Sequence, residues 1–497
     1  MSEDFSTPFG NISELKEEAF FEKELYEYIF GIDDIFQKEK VQVELLKKAK
    51  ELKVEKNFNK LYKECKKQSE KNKPTQLFTK HNEIGEYLLE QFDFVVYADS
   101  LYVYQNGVYT TDKNIIENEI IKVNPEANTY LRKEVINYIK IKVEKKENIT
   151  QKENIINFKN NLYDINANIQ LSHTPTHFSV NQLPINYIKD IENNEDYNYE
   201  KKEVEKYLNA ISCNNIERKK ALTEMIGYCM TTSTKKQVMF LLYGKKAENG
   251  KSTFIKILQK LIGVNNYSMI SLKNMSNDKF TIAEVTNKLL NTTTENTDEL
   301  IKDTSILKAI ITGDLTPTEL KNIQKRNYIQ PYVKCVYPCN ELPKTNNHNT
   351  DFYRRLFIIP LEAQFTLEEK NKFNINSLMT EKALEYLAYI SLKAYKQVID
   401  KPFSNYKESE EIKRIYILEN NSVLAYFEDD ENLMLLLKNG KIYKKRLLYE
   451  DYKIWCNNND YKYIGEREFI KKALEKKFVV EGNLNDGYKP LIIIKEI

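Results

Sequence analysis

The hydrophobic and polar positions change their spacing several times along the chain, and each spacing predicts a different kind of element. An uninterrupted apolar run from Val238 to Tyr243 is typical of a buried strand. A glycine-containing turn follows, and after it apolar residues return at helical spacing, at Phe254, Ile257, Leu258, Leu261 and Ile262. This order of strand, turn and helix predicts an α/β unit in the middle of the chain, at residues 237–365.

Residues 1–73 carry apolar residues at helical spacing, for example Leu15, Ala19, Leu25 and Ile29, and their charge is strongly polarised. Residues 1–35 contain ten acidic residues and two lysines, whereas residues 36–73 contain thirteen lysines and six glutamates, a net charge of +7 (13 − 6). We favour two solvated helices packed on the rest of the protein. An arm that docks a partner or touches DNA is the alternative.

Residues 75–200 contain short apolar and aromatic runs, which predict an α+β domain. Asn106-Gly107 separates two such runs and predicts a β-hairpin. His173 and His177 lie four residues apart in a proline-containing stretch without cysteine partners, a pattern that disfavours a metal site. Residues 201–236 have apolar residues at helical spacing and predict helices.

The C-terminal part predicts a helical segment and linker at 366–410 and a small α+β module at 411–497. Two amphipathic helices are followed by two short strands that flank Asn485-Asp486-Gly487. This order suggests a winged-helix-like DNA-binding module with the second helix facing DNA. A module that only packs against protein is the alternative.

Composition limits the class of protein. The 497 residues are 41% hydrophobic and 30% charged, which fits two to four globular domains, and the net charge of +2 requires any nucleic-acid surface to be local. The six cysteines are scattered, no secretory signal is present and no apolar run reaches membrane-spanning length. We therefore expect a cytoplasmic protein with no membrane partner.

The turn after the central strand carries chemistry. Gly244 opens it and Asn249, Gly250, Lys251, Ser252 and Thr253 close it, as in a P-loop whose N–H groups and helix N-terminus hold phosphate. Lys251 would reach the β- and γ-phosphates, and the Ser252 hydroxyl would bind Mg²⁺. Five residues separate Gly244 from Gly250 where the standard loop has four. Either the loop has one extra residue, or Lys245 stands where the first glycine usually does.

The stretch from Lys288 to Thr294 predicts a second buried strand, and an acid follows it. Glu295 there is our candidate to hold Mg²⁺ or to polarise the attacking water, with Asp298 in reserve.

Five stretches in this order resemble superfamily 3 helicases, in particular the phage and plasmid primase–helicases and their poxvirus relatives. They are Asn249-Gly250-Lys251-Ser252-Thr253, the strand ending at Glu295, the segment Lys308 to Asn327, Asn340-Glu341-Leu342-Pro343, and Asp351 to Pro360. The resemblance covers roughly residues 80–497. It implies a multidomain fold with an α/β AAA+-type P-loop ATPase core, a helical collar at 201–236, the α+β domain before it and the winged-helix-like domain after it.

The resemblance also assigns roles. Lys321, Lys325 and Arg326 would lie on a hairpin that grips DNA inside a ring. Asn340 would contact the γ-phosphate or the attacking water. Arg355, or alternatively Arg354, would be the arginine finger.

The resemblance implies an ATP-dependent replicative DNA helicase of a phage, plasmid or genomic island, a homo-hexamer that uses ATP and Mg²⁺ and binds single- and double-stranded DNA. A loader, a primase or an initiator protein is a further expected partner. We expect no primase activity, because the 73 residues ahead of Pro74 are too few for a catalytic primase domain. The alternative is an origin-binding initiator with weak or no unwinding. A P-loop kinase or packaging motor lacks support from the segments around Lys321 and Asn340.

Overall fold

The structure is a computed structural model of the chain. It describes residues 6–32, 35–71, 78–97, 99–143, 152–246, 248–277, 281–294, 301, 304–320, 323–343, 350–366, 375–438, 442–482 and 490–494. The chain divides into two compact units, one formed by Met1–Phe94 and Asp112–Glu144, the other by Val95–Thr111 and Lys145–Ile497. The interval 75–200, expected to form one domain, is thus shared between the two units.

The first unit is mainly helical. Its α-helices are α1 Lys23–Gly31, α2 Ile35–Glu51, α3 Glu55–Lys71, α4 His81–Gln91, α5 Lys113–Val123 and α6 Thr129–Lys142. Two-residue strands β1 Ser6–Thr7 and β2 Gly10–Asn11 and 3₁₀ helices Ile12–Glu14 and Glu17–Phe21 precede them. Leu15, Ala19, Leu25 and Ile29 belong to one buried cluster with Phe58. Only Leu25 and Ile29 lie on an α-helix, so the single helical face predicted for the four residues is wrong.

Six short strands come next, and all of their residues except Phe94, the first residue of β3, belong to the second unit. They are β3 Phe94–Tyr97, β4 Ser100–Gln105, β5 Val108–Thr110, β6 Ile155–Asn157, β7 Leu162–Asp164 and β8 Ile169–Leu171. The hairpin predicted at Asn106-Gly107 is confirmed, because β4 and β5 pair with Gln105 opposite Val108. Both turn residues have positive φ, 50° for Asn106 and 84° for Gly107, which Asn and Gly adopt most readily. The 3₁₀ helices Ile191–Asn193 and Glu195–Tyr197 follow.

A parallel sheet forms the centre of the second unit. Its strands are β9 Met239–Tyr243, β10 Tyr267–Ser268, β11 Leu290–Thr292, β14 Lys334–Cys339 and β15 Leu356–Pro360, in the spatial order β10-β11-β14-β9-β15. Along β9, Met239 and Leu241 belong to one apolar cluster and Phe240 and Leu242 to another. The sheet is therefore buried on both faces, which explains the continuous apolar run in the sequence.

Helices and a hairpin connect these strands. They are α9 Lys251–Ile262, α10 Leu272–Asn277, α11 Thr281–Glu284, α12 Ser305–Thr312 and α13 Thr350–Tyr353, the 3₁₀ helix Val264–Asn266, and the hairpin of β12 Thr316–Leu320 with β13 Ile323–Ile329.

Two helices before the sheet pack against one that comes after it. α7 Asn198–Ile211 and α8 Ile216–Cys229 precede the sheet, and α14 Glu381–Val398 follows it, after the 3₁₀ helix Ser377–Met379. α8 is buried on all sides from Ala221 to Cys229. Gly227 lies against the Ser391 carbonyl, and a methyl group on it would come within 2.6 Å of Cβ of Tyr395. Only glycine lets α8 and α14 approach this closely.

The C-terminal part begins with α15 Tyr406–Glu419, which packs along the edge strand β15, where the Ile358 N–H donates to the Ser409 hydroxyl at 2.8 Å. The remaining elements are α16 Ser422–Glu428, α17 Asp430–Lys438, β16 Ile442–Tyr443, α18 Lys445–Asn458, α19 Glu466–Glu475, β17 Val479–Glu481 and β18 Leu491–Ile493. Strands β16, β18 and β17 form an antiparallel sheet.

The end of the linker expected at 366–410 is helical, because α15 crosses the boundary expected between 410 and 411. The charged residues from Glu408 to Lys413 lie on this helix. Its charges are accommodated by pairing. Glu408 accepts from Nε of the buried Arg218 at 2.9 Å, and Lys413 contacts Glu410 at 2.5 Å. Hydropathy alone could not reveal that these charges lie under other elements. Within the described ranges, none of the helices combines the length and apolarity needed to cross a membrane.

Candidate functional site

The loop between β9 and α9 begins at Gly244. Its N–H donates to the carbonyl of Cys339 at 3.0 Å, which ties the start of the loop to the end of β14. A methyl group on Gly244 would lie 2.6 Å from the Leu361 carbonyl oxygen, so the backbone that follows β15 leaves room only for glycine at this position. This close fit favours Gly244 as the first glycine of the loop, with one extra residue after it.

The end of the loop is shaped by Gly250 and Asn249. Gly250 has φ +81° and directly precedes α9, a conformation that glycine adopts without strain. The buried Asn249 amide donates to the carbonyls of Gly244 at 3.3 Å and Lys246 at 2.8 Å. An asparagine directly before Gly-Lys-Ser therefore stabilises the loop, because one side chain bonds to two of its carbonyls.

Lys251 supplies a buried positive charge. Only 8% of the residue is exposed, and its ammonium donates to the Gly244 carbonyl at 2.8 Å. Burial lowers the pKa of Lys251 from its ordinary value. No carboxylate among the described residues pairs with it. A desolvated ammonium bound only to a carbonyl fits an anion, which could replace that carbonyl at close range.

The first turn of α9 adds to this preference for anions. Ser252 and Thr253 lie there, exposed and half-exposed, and no side chain caps the helix. The N–H groups of a first helical turn have no intrahelical acceptor and carry the positive end of the helix dipole. Lys251, Ser252 and the loop therefore fit a polyphosphate.

Asn340 lies beside the loop. Cys339 pairs with Tyr243 in the parallel register, so Asn340 and Gly244 follow neighbouring strands at the same edge of the sheet. Adjacent strands are separated by roughly 4.8 Å. Asn340 is exposed, which leaves it accessible to a ligand in the loop. The structure thus brings together the loop residues and Asn340.

The acid expected at this edge is not described. β11 ends at Thr292 next to β14, which directs the chain toward the same edge, but Glu295 and Asp298 both lie outside the described residues. No cluster of three or more His, Cys, Asp or Glu side chains suited to a metal ion occurs within the described part of the chain. The Mg²⁺ site formed by Ser252 and Glu295 therefore stays a prediction.

Arg354 and Arg355 lie at the other edge of the sheet. β15 runs parallel to β9, with Leu356 opposite Met239 and Pro360 opposite Tyr243. Four residue steps separate these pairs, about 13 Å along the strand. The two arginines precede β15, so they are far from the loop that follows β9.

These two arginines have different surroundings. Arg354 is 64% exposed and its Nε lies 3.6 Å from an Asp351 carboxylate oxygen. Arg355 is partly buried and donates to the Asp351 backbone carbonyl, while its Nε has no hydrogen-bond partner among the described residues. Burial, and then the charge of Arg354, lower the pKa of the Arg355 guanidinium. Arg354 is thus the more accessible of the two.

The basic hairpin is described through its backbone. β12 and β13 pair antiparallel, with Glu319 opposite Arg326 and Leu320 opposite Ile323. Lys325 and Arg326 lie on β13, and Lys321, between the strands, falls outside the described residues. The hairpin expected from the family resemblance exists, but the direction of its charges stays a prediction.

Sequence reasoning missed the segment at residues 361–366, which we call the strap. Its Leu361 N–H donates to the Tyr243 carbonyl at 2.6 Å, and its Phe365 N–H donates to the Glu248 carbonyl at 2.9 Å. The strap therefore holds the loop at both ends. No sequence pattern marks this segment, because its contacts with the loop run through backbone N–H groups.

Comparisons with known proteins add little to this geometry. A family model described as a family of unknown function, DUF5906, matches residues 242–355, from β9 to Arg355. No curated protein matches the chain. Among solved structures, the chain is similar to an A-form apo structure of the NrS-1 C-terminal region, with 14% identity, a TM-score of 0.47, and 84% of this chain and 100% of that chain covered. A second apo structure of that region, residues 305–718, gives the same values.

Proposed function

We propose that this protein is an ATP-dependent DNA helicase of superfamily 3, with an AAA+-type core, that encircles and unwinds DNA during replication of a phage, plasmid or genomic island. The observation that carries the proposal is the shared edge of the parallel sheet. There the loop with its buried Lys251 and the exposed Asn340 meet, one strand apart. Ligands of open α/β sheets bind at the carboxyl ends of the strands.

Each residue at this edge has a distinct task. The loop N–H groups and the first turn of α9 bind the phosphates of ATP, and Lys251 exchanges the Gly244 carbonyl for a phosphate oxygen. Asn340 orients the attacking water or the γ-phosphate. Ser252 and Glu295 would hold Mg²⁺, which supplies charge neutralisation between the β- and γ-phosphates.

The position of Arg354 and Arg355 at the opposite edge supports the proposal that the protein works as a ring of subunits. About 13 Å of strand separates them from the loop of their own chain. They are suited instead to reach the loop of a neighbouring subunit, as a finger supplied in trans does. The exposed Arg354 is the better placed of the two, and Arg355 anchors the turn before β15.

Two basic parts of the chain are proposed to bind DNA. The β12–β13 hairpin carries Lys325 and Arg326, whose charges would bind phosphates without reading base sequence. In the C-terminal part, α19 carries Arg467, Lys471 and Lys472 next to the β16-β18-β17 sheet. We propose that this module is a winged helix that binds duplex DNA.

Substitution of Lys251 by alanine tests the proposal. The variant should lose ATP hydrolysis, because the charge that contacts the β- and γ-phosphates is removed. Lys256→Ala is the matched control, since Lys256 is an exposed lysine on the same helix and should leave turnover unchanged. Turnover at the wild-type rate by Lys251→Ala would refute the assignment of the loop.

A forked DNA substrate tests the activity itself. The wild-type protein with ATP should displace the labelled strand, and Lys251→Ala should not. ATP hydrolysis and duplex binding without strand displacement would instead identify an origin-binding initiator.

A further inference from the structure

The strap presents an aromatic side chain next to the phosphate-binding loop. A methyl group placed on Gly250 would lie 2.8 Å from Cε2 of Phe365 and 3.5 Å from Cδ1 of Ile211. The Phe365 ring therefore rests directly on the glycine that precedes Lys251. Ile211, the last residue of α7, is fully buried in the apolar cluster against which Phe365 packs, whereas Phe365 keeps part of its surface exposed.

The sheet order indicates which end of a nucleotide would lie here. Asn340, the group suited to the terminal phosphate, directly follows β14, which lies on one side of β9. The strap follows β15, which is the neighbour of β9 on the other side. An extended nucleotide with its phosphates across the end of β9 and its γ-phosphate toward β14 must direct its base toward the strap.

We infer that Phe365 forms the base subsite of the nucleotide site, with Ile211 as the residue that supports the ring. This inference rests on the proposed function. An aromatic ring offers stacking, which tolerates different bases because every base has a π-face. The natural ligand class of the site is therefore a nucleoside triphosphate held through its phosphates by the loop and through the face of its base by Phe365.

Two roles of Phe365 can be separated by the choice of probe. If the ring contacts the base, its loss weakens binding of ATP but not of inorganic tripolyphosphate, which has no base. If the strap only shapes the loop, both probes lose affinity together. Binding of each to the full-length protein is measured by calorimetry.

The variants are Phe365→Ala, Phe365→Leu and Phe365→Trp. Leucine retains apolar packing on Gly250 but has no aromatic face, whereas tryptophan keeps the face. Alanine and leucine should weaken ATP binding by roughly tenfold, the scale of one stacked base, while tryptophan binds ATP as the wild type does. All three should bind tripolyphosphate unchanged. Tyr389→Ala, a partly buried tyrosine on α14, is the control for general loss of packing.

The outcomes are distinct. Equal loss of ATP and tripolyphosphate in Phe365→Ala, or no loss of either, overturns the base subsite. A wild-type affinity for GTP far below that for ATP overturns recognition by stacking. If the wild-type protein binds neither ATP nor tripolyphosphate, the proposed function itself fails.

Discussion

The two edges of the central sheet differ in almost every property. At the carboxyl edge, a glycine-rich loop, a buried ammonium and an exposed amide come together within one chain, as Lys251 and Asn340 show. At the amino edge, Arg354 is exposed and has a weak partner at 3.6 Å. The residues at the carboxyl edge are brought together by the fold of a single chain. The Arg354 charge at the amino edge lies about 13 Å of strand away from the loop of the same chain. Under the proposed function, a nucleotide at the loop would therefore need an arginine from a neighbouring subunit.

The largest expected effect tests this division directly. Arg354→Ala should bind ATP normally and hydrolyse it about 10³–10⁵-fold more slowly, because a finger stabilises charge only during transfer. Arg355→Ala should have a smaller effect if it only anchors the turn before β15. Steady-state ATPase rates and nucleotide affinity of both variants check this. A larger loss of ATPase rate in Arg355→Ala than in Arg354→Ala would identify Arg355 as the arginine finger.

A mixture of two inactive variants tests whether the arginine acts in trans. In a mixture of Arg354→Ala and Lys251→Ala proteins, some interfaces pair an intact loop with an intact arginine, so part of the ATPase activity should return. A mixture that assembles but stays inactive would show that Arg354 does not act in trans.

Asn340→Ala is expected to have the next largest effect, since one oriented hydrogen-bond donor contributes about 10²–10³ in rate. Asn340 and Lys251 belong to the same site of one chain. In a mixture of these two variants, every subunit therefore lacks one residue of its own nucleotide site. Activity should therefore not recover. Recovery would mean that Asn340 and Lys251 serve different sites.

Charge removal on the hairpin should have a more modest effect. Lys325→Ala or Arg326→Ala should slow strand displacement on all sequences alike and leave basal ATPase largely intact, because phosphate contacts carry no sequence information. Unwinding rates on forks of different sequence, measured at several salt concentrations, check this. A loss confined to one sequence would contradict the assignment of the hairpin.

The smallest effect concerns another residue of the amino edge. Lys334, the first residue of β14, is buried, and its ammonium donates to the carbonyls of Thr231 and Tyr332. Burial lowers its pKa from 10.5 to about 7. Between these pH values the unfolded chain holds a proton that the folded chain has lost, so the contribution of Lys334 to stability rises with pH across that window.

Replacing Lys334 by methionine tests this linkage. The free energy of unfolding of the variant, relative to the wild type, should be highest near neutral pH and fall as the pH rises toward 10. One proton limits the slope to about 1.4 kcal/mol per pH unit. Urea denaturation of both proteins across this range is the measurement, and a difference independent of pH would contradict a lowered pKa.

β9 and its loop were readable from the sequence, because β9 is a continuous apolar run, which β10 and β11 are not, and because the loop has a strict order of residue types. The strap was not, since Phe365 acts through a backbone N–H and through the space left by Gly250. Arg218 was also missed. Its pairs with Glu362 and Glu408 join residues distant along the chain, and such pairs leave no local pattern.

The close packing of α8 on α14 has a consequence for synthesis of the protein. α8 is buried on all sides, yet the helix that covers Gly227 is translated only after the whole parallel sheet. While the ribosome makes the intervening residues, the apolar surface of α8 has no final partner. Nascent chains should therefore depend on chaperones during this interval, because exposed apolar surface in incomplete domains promotes aggregation.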